Sequence, residues 1–332
     1  MAVSAFPTSR PSTRRRVVRR LLVGLPIGAV AAVVLRPELF GLAGSAPFVQ
    51  VVAFRPVLAA GLLLFAALTV LVRRRWWPVA LLPAVVAGLA IGAVVPRAVA
   101  GPPPPAGSSL TVLSFNVLEG RADPAALAAT LRADRPDLVV LPEAGQRYQR
   151  RLTPLLAGLG YRSWVTTSAG EQDRDGILVL ASARLGNLTG SPLELDTRRR
   201  WMTLTGGGLG DLTLVAVHTA APVRDLPGWA AELSTLRQWC AEGGGPHLVV
   251  GDVNATLDHA PLRAATAGCT DAAAARGEGL VATWPTAWPR WLGVQIDHVF
   301  TSGGPVAASV QVLDLPGSDH RALLTRIVLP GG

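Results

Sequence analysis

The chain has 332 residues, half of them apolar, which is enough to bury a full-sized core and leave sequence for a second module. Its formal charge of +9 is local: all 31 basic residues are Arg, twelve precede Gly101, and the remaining 19 face 21 acidic residues, so the later part has no positive excess for gripping a polyanion. Two cysteines, Cys240 and Cys269, exclude a Cys-rich metal cluster and a disulfide-dense scaffold.

Three apolar runs come first, at residues 21–35, 57–72 and 76–95. A spanning helix needs about 20 mostly apolar residues. The third run meets this outright. The second meets it if extended back over residues 48–54, with Arg55 snorkelling near one end. The first meets it by recruiting Val17 and Val18, with Arg19 and Arg20 at the interface. Runs without a polar face would need a large surrounding protein to bury them, so membrane helices are expected.

Arg placement orients them, because basic residues in short loops stay cytoplasmic. Arg10, Arg14, Arg15, Arg16, Arg19 and Arg20 precede the first run, Arg73 to Arg75 separate the second and third, and only Arg36 and Arg55 separate the first and second. Three spans with a cytoplasmic N-terminus fit this pattern and place everything after Pro96 outside. Omitting the first span would put the Arg73 to Arg75 triplet outside. The stretch from Thr13 to Arg19 also reads like a twin-arginine export signal, and a cleaved leader is the alternative.

Residues 101–109 carry four consecutive prolines, Pro102 to Pro105, expected to form a semi-rigid polyproline spacer. The chain therefore divides into a membrane anchor at 1–100, a linker at 101–109 and an extracytoplasmic domain at 110–332. In an oxidising exterior Cys240 and Cys269 could pair; otherwise they are two buried thiols.

In the domain, short apolar runs predict strands at 110–117, 137–141, 176–181, 212–218 and 247–252, and helices at 124–133, 146–156 and 228–241. Polar residues recur where the strands end. Asn116 ends the first, Glu143 follows the second, and Asp319 precedes a final strand. Their oxygens suit a hard cation such as Mg²⁺ or Mn²⁺, and no Cys/His spacing suggests zinc. His218 and His320 could move a proton near neutral pH. In Gly251-Asp252-Val253-Asn254, an acceptor and a donor two residues apart would point the same way on an extended segment.

The ordered set resembles the exonuclease-endonuclease-phosphatase superfamily over residues 110–329. Ser114-Phe115-Asn116-Val117, Leu141-Pro142-Glu143, Val217-His218-Thr219, Gly251-Asp252-Val253-Asn254, Ile296-Asp297-His298-Val299-Phe300 and Gly317-Ser318-Asp319-His320 match its motifs in sequence order. The resemblance implies an α+β fold, a four-layer α/β/β/α sandwich of two mixed sheets, here preceded by three transmembrane helices. It also implies metal-dependent hydrolysis of a phosphate ester or phosphoanhydride by an in-line water.

Residue by residue, it implies that Asn116, Glu143 and Asp319 form the metal site, holding Mg²⁺ or Mn²⁺. Asp252 orients the attacking water and Asn254 holds a phosphoryl oxygen. His320 contacts the phosphate with Asp297 fixing its ring, and His218 donates to the substrate, with Asp175 as its candidate partner. His298 follows Asp297 and is expected to turn away from the site. Leu118 stands where nucleases of the superfamily often carry an acid, and Arg321-Ala322 follows the last motif where a proline is common.

The layout further resembles membrane-anchored actinomycete members of the VanJ type, associated with teicoplanin resistance. This implies the bilayer as partner and a lipid-linked cell-envelope phosphate as substrate. Nucleic acid is not the expected substrate. An extracytoplasmic nuclease, a phospholipase-type phosphodiesterase, and a binding protein without turnover are the alternatives. Two features bear on substrate: a loop with Trp284, Trp288, Arg290 and Trp291, which could line a cleft, rest at headgroup level or pack on the domain, and the Arg198 to Arg200 run, which could contact phosphate or edge a solvated hairpin.

Overall fold

The computed structural model describes residues 13–194, 200–241 and 243–330. Arg10, Arg198 and Arg199 lie outside the described residues.

The chain forms two compact units, one of residues up to 42 together with 55–94, the other of residues 43–54 together with 95 onward. The first holds α1 (Thr13–Leu35) and, beyond the short α2 (Phe48–Val52) of the second unit, α3 (Arg55–Val72) and α4 (Trp77–Val94). Three helical stretches here are long and apolar enough to cross a membrane: Thr13–Leu35, Arg55–Val72 and Arg74–Ala98. Their large side chains face outward, with Leu71 80% and Leu89 64% exposed, as expected of surfaces made for lipid rather than water. Gly24 sits against α4, where a Cβ would meet the Val79 carbonyl oxygen at 2.6 Å. Only glycine permits that backbone approach.

Two expectations are corrected here. Residues 48–54 do not prolong the second span; they form a separate helix and turn whose Val49 is fully buried in the core of the second unit. Arg55 does not snorkel, because its guanidinium is buried and paired with Glu38 at 3.1 Å. The proline stretch, expected as a semi-rigid spacer, is hydrogen-bonded near both its ends. Gly101 donates to the Ala275 carbonyl (2.9 Å), Arg276 to that of Pro102 (2.9 Å) and Leu329 to that of Ser108 (2.9 Å), so it lies along the second unit.

The second unit continues with β1 (Ser109–Ser114), α5 (Pro124–Asp134), β2 (Leu138–Pro142), α6 (Gln146–Leu152), β3 (Tyr161–Val165), β4 (Ile177–Ser182), β5 (Leu188–Glu194) and β6 (Arg200–Gly206). Then come β7 (Thr213–His218), α7 (Leu226–Thr235), β8 (His247–Asp252), α8 (Ala260–Ala265), β9 (Thr270–Asp271), α9 (Ala272–Ala275), β10 (Asp297–Ser302), β11 (Val306–Leu313) and β12 (Ala322–Val328). Two six-stranded mixed sheets result, in the orders β11-β12-β1-β2-β4-β3 and β5-β6-β7-β8-β10-β9.

Side-chain alternation builds the layers. Val112, Val140 and Val179 of the first sheet join Leu214, Leu248 and Val250 of the second in one core. Their sequence neighbours Leu113, Val139 and Leu178 turn to the other face and pack with Leu127 and Leu131 of α5 and Tyr148 of α6. Trp229 and Leu233 of α7 are buried with the second sheet. The fold is therefore the expected four-layer sandwich. Each fully buried Leu or Val stabilises it by about 1.5–3 kcal/mol before entropy is counted.

Two parallel pairs position the site. β1 runs parallel to β2, and β7 to β8, so Asn116, Glu143, His218 and Asp252 leave their strands at one end of the sandwich. β10 runs antiparallel to β8 with Asp297 opposite Asp252, and β12 runs antiparallel to β1, which brings Asp319 and His320 to the same end. Gly251 is required there, since a Cβ on it would strike the Val217 carbonyl.

The disulfide Cys240–Cys269 closes with a Cα–Cα distance of 4.9 Å. It ties the turn after α7 to the segment entering β9.

Candidate active site

Asp252 lies at the centre of the site and is buried. Its Oδ1 accepts the Asn254 backbone N–H at 2.8 Å, and its Oδ2 accepts from Asn116 Nδ2 at 3.0 Å. His218 Nε2 and His320 Nε2 lie 3.9 and 3.8 Å from Asp252 Oδ2, both beyond hydrogen-bond length. His218 Nε2 is also 3.6 Å from Glu143 Oε1, which Asn116 Nδ2 reaches at 3.2 Å. All eight predicted site residues come together here: Asn116, Glu143, His218, Asn254 and His320 around Asp252, and Asp297 and Asp319 around His320.

Asp297 is fully buried, and its Oδ2 holds His320 Nδ1 at 2.8 Å. Asp319 Oδ1 is 3.9 Å from His320 Nε2, and Asp319 Oδ2 accepts from Trp284 Nε1 at 2.9 Å. Ser318 Oγ bonds the Asn116 carbonyl at 2.7 Å and receives the His320 N–H at 3.0 Å, fixing the last motif to the end of β1.

Electrostatics follow from this crowding. Burial pushes the Asp252 carboxyl up, and the nearby charge of Asp297 adds to it, reaching about 7 against the opposing pull of His320, Asn254 and Asn116. Burial disfavours a charged His320. Asp297 above all, through charge and hydrogen bond, with Asp252 and Asp319, outweighs burial and raises the ring to about 10.

Backbone strain concentrates at the same place. Leu118, Glu119, Glu143 and Asn254 have φ of 48°, 53°, 60° and 46°, a region non-glycine residues seldom occupy. The turn lets Glu119 donate its N–H to Glu143 Oε2 at 2.8 Å.

Two predicted residues have a local geometry that the sequence did not indicate. Asn116 was expected to offer its carbonyl oxygen to a metal, but that oxygen accepts the Leu118 N–H at 2.9 Å while the amide nitrogen faces the carboxylates. Asp252 and Asn254 do share a side, though not by strand alternation: the strand ends at Asp252 and the left-handed Asn254 folds back onto it. Asn254 Nδ2 donates to the Thr219 carbonyl at 3.0 Å.

His298 turns away as expected, with its two ring nitrogens on Asp271 Oδ2 (2.7 Å) and the Ala255 carbonyl (2.9 Å). Asp175 ends a short 3-10 turn before β4. Trp284, in the loop expected to line a cleft, rest at headgroup level or pack on the domain, joins the site through its indole N–H to Asp319. Next to Glu119 opens a cavity of about 500 Å³ lined by Arg121, Arg147, Arg151 and Asp173.

The donor set fits a hard divalent cation. One oxygen each of Asp297 and Asp319 is buried without a hydrogen-bond partner, and Asp252, Asp297 and His320 each place a ligand atom within 4.8 Å of the others.

Comparison with known proteins agrees with this geometry. The model of the endonuclease/exonuclease/phosphatase family matches residues 113–320. Among solved structures, the chain is similar in fold to an endonuclease/exonuclease/phosphatase from Beutenbergia cavernae, with 22% identity, a TM-score of 0.51, and 67% of this chain and 72% of that one covered. Truncated Caenorhabditis elegans TDP2 aligns at 16% identity and TM-score 0.52, covering 66% and 98% of the two chains. A conserved protein of unknown function from Enterococcus faecalis aligns at 13% identity and TM-score 0.52, covering 66% and 100%. No curated protein sequence matches significantly. Members of the matched family hydrolyse phosphodiester or phosphate ester bonds and generally depend on a divalent metal. The chain belongs to the endonuclease/exonuclease/phosphatase family.

Proposed function

We propose that the chain is a membrane-anchored phosphoesterase whose catalytic unit lies outside the cytoplasm and hydrolyses a phosphate ester or pyrophosphate of a lipid carrier in the same bilayer. This is the chemistry expected of a VanJ-type protein linked to teicoplanin resistance. One observation carries the reading. Residues 43–54 lie between two membrane-length helices and yet fold into the catalytic unit. One crossing through α1, then two more through α3 and α4, return the chain to the same side, as a single folded unit requires. The Arg73 to Arg75 triplet then falls on the opposite side with the N-terminal Arg cluster, in keeping with cytoplasmic retention of basic loops. The disulfide supports an oxidising compartment.

Mg²⁺ or Mn²⁺ held by Glu143 and Asp319 would neutralise charge on the phosphoryl oxygens. Asn116 keeps Asp252 and Glu143 in register. Asp252 orients the attacking water and draws its proton. His320, held by Asp297, donates from Nε2 to a phosphoryl oxygen as its charge grows, and His218 Nε2, which faces the same carboxylates, is a second donor. A near-neutral catalytic unit argues against a nucleic-acid substrate.

Phosphate release by the purified full-length protein from undecaprenyl pyrophosphate, phospholipids, nucleotides and DNA tests the reading. Preferential turnover of DNA would replace it with a nuclease, and no turnover of any substrate with a binding protein. For topology, C-terminal alkaline phosphatase and fluorescent-protein fusions should be active and dark, respectively.

A further inference from the structure

The loop at residues 283–291 carries three tryptophans with different surroundings. Trp284 holds Asp319. Trp288 and Trp291 are 43% and 73% exposed, and the Trp288 ring lies 6.0 Å from that of Phe54. Phe54 is the last residue of the 43–54 segment and stands one peptide bond from Arg55, the first residue of α3. The same unit resumes at Val95, directly after α4 ends. Arg97 there is held by Asp258 Oδ2 (3.0 Å) and the Leu257 carbonyl (3.0 Å). Val49 accepts from His259 Nε2 at 2.9 Å. In sequence, Phe54 is thus followed at once by one membrane-length helix, and the second unit resumes directly after the other.

The loop is also rigidly joined to the reaction centre. Arg321, buried beside His320, donates to the carbonyls of Ala282, Pro285, Thr286 and Trp288 at 2.9–3.3 Å, and its Nε pairs with Asp314 at 2.7 Å. Thr286 donates its N–H to the Asp319 carbonyl at 2.8 Å. The residue that replaces the customary proline thus clamps the tryptophan loop to the last motif.

We infer that Phe54, Trp288 and Trp291 form a seat in the headgroup region of the bilayer, and that the Arg321 clamp sets the active site at a fixed height above it. Amphipathic indoles favour that zone, where an apolar ring meets lipid and its N–H meets water. A phosphate at headgroup level then reaches Asp319 and His320 without leaving the membrane. The inference rests on the reading that the long helices span a bilayer.

The test uses full-length protein in phosphatidylcholine and phosphatidylglycerol vesicles carrying undecaprenyl pyrophosphate. The double variant Trp288→Ala, Trp291→Ala should lose about tenfold or more in turnover of the vesicle-borne lipid, since small misplacement of a reacting centre costs on this order. Its hydrolysis of soluble bis(p-nitrophenyl) phosphate should match wild type, and Phe at both positions should restore lipid turnover. Independently, a fluorophore on Trp291→Cys, with the native disulfide closed, should be quenched by lipids brominated on their acyl chains. No quenching, or equal loss on both substrates, overturns the seat. Quenching with hydrolysis of the soluble ester but not of vesicle lipid keeps the seat and overturns the lipid-phosphate reading instead.

Discussion

The pairing of Asp297 with His320 gives the sharpest test of the catalytic assignment. His320→Ala removes the donor itself, and groups of this kind contribute about 10² to 10⁴ in rate. Asp297→Asn keeps a polar partner 2.8 Å from Nδ1 but removes its charge. A hydrogen bond to a charged group contributes about 1.5–3 kcal/mol and a neutral one about 0.5–1.5, so the change should cost about 1–1.5 kcal/mol, or roughly tenfold. The ring keeps other supports, because Ser318 holds the His320 backbone and Asp252 and Asp319 remain nearby. The double variant should then be no slower than His320→Ala alone, as for residues acting as one unit. Steady-state kinetics at saturating divalent metal would measure all four corners of this cycle, with circular dichroism reporting the fold. Losses that multiply would show that Asp297 and His320 act separately, and Asp297 would lose its role as the orienting partner.

Other outcomes follow from the same geometry. Chelation should abolish turnover and Mg²⁺ or Mn²⁺ restore it, while Glu143→Gln should leave a folded protein at least about a hundredfold slower; full activity in excess chelator would refute the metal role of Glu143. Replacing both Cys240 and Cys269 by Ser should lower the stability of the catalytic unit by about 3–4 kcal/mol, because the bond spans 29 residues; an unchanged guanidinium midpoint would contradict this. His298 has its imidazole raised: burial opposes the cation, but the charge and hydrogen bond of Asp271 prevail. A raised folded value means its stabilisation is present below about pH 6.5 and lost as pH rises through the folded value. Unfolding midpoints of wild type should therefore fall toward alkaline pH. Asp271→Asn should be about 3–5 kcal/mol less stable and lose that part of the slope.

Much of the site was legible in the chain because its residues sit where apolar strands stop. A run such as 247–252 predicts a strand by composition, and the acid closing it must lie at a sheet end. The five strands and three helices expected in the domain all appear, with boundaries shifted by a few residues and the second and third helices ending in 3-10 turns. β3, β5 and β6 were not legible: β3 and β5 are edge strands, Gly190 and Pro192 interrupt β5, and β6 opens on the Arg run. Edge strands bury little, so their sequences carry weak alternation.

Local pattern determined the three apolar helices, the strand ends and the order of the acids, amides and histidines, because each depends on a few consecutive side chains. Only the tertiary structure decided what those residues meet. An apolar segment reads alike whether lipid or a protein core will cover it, so residues 48–54 resemble part of a span although Val49 is buried in the core of the second unit. Asn116 turns its amide nitrogen, not its oxygen, toward Glu143 and Asp252, and Trp284 reaches Asp319 across 35 positions of sequence. Such contacts arise from two sheets closing on each other, and no local window of sequence contains both partners.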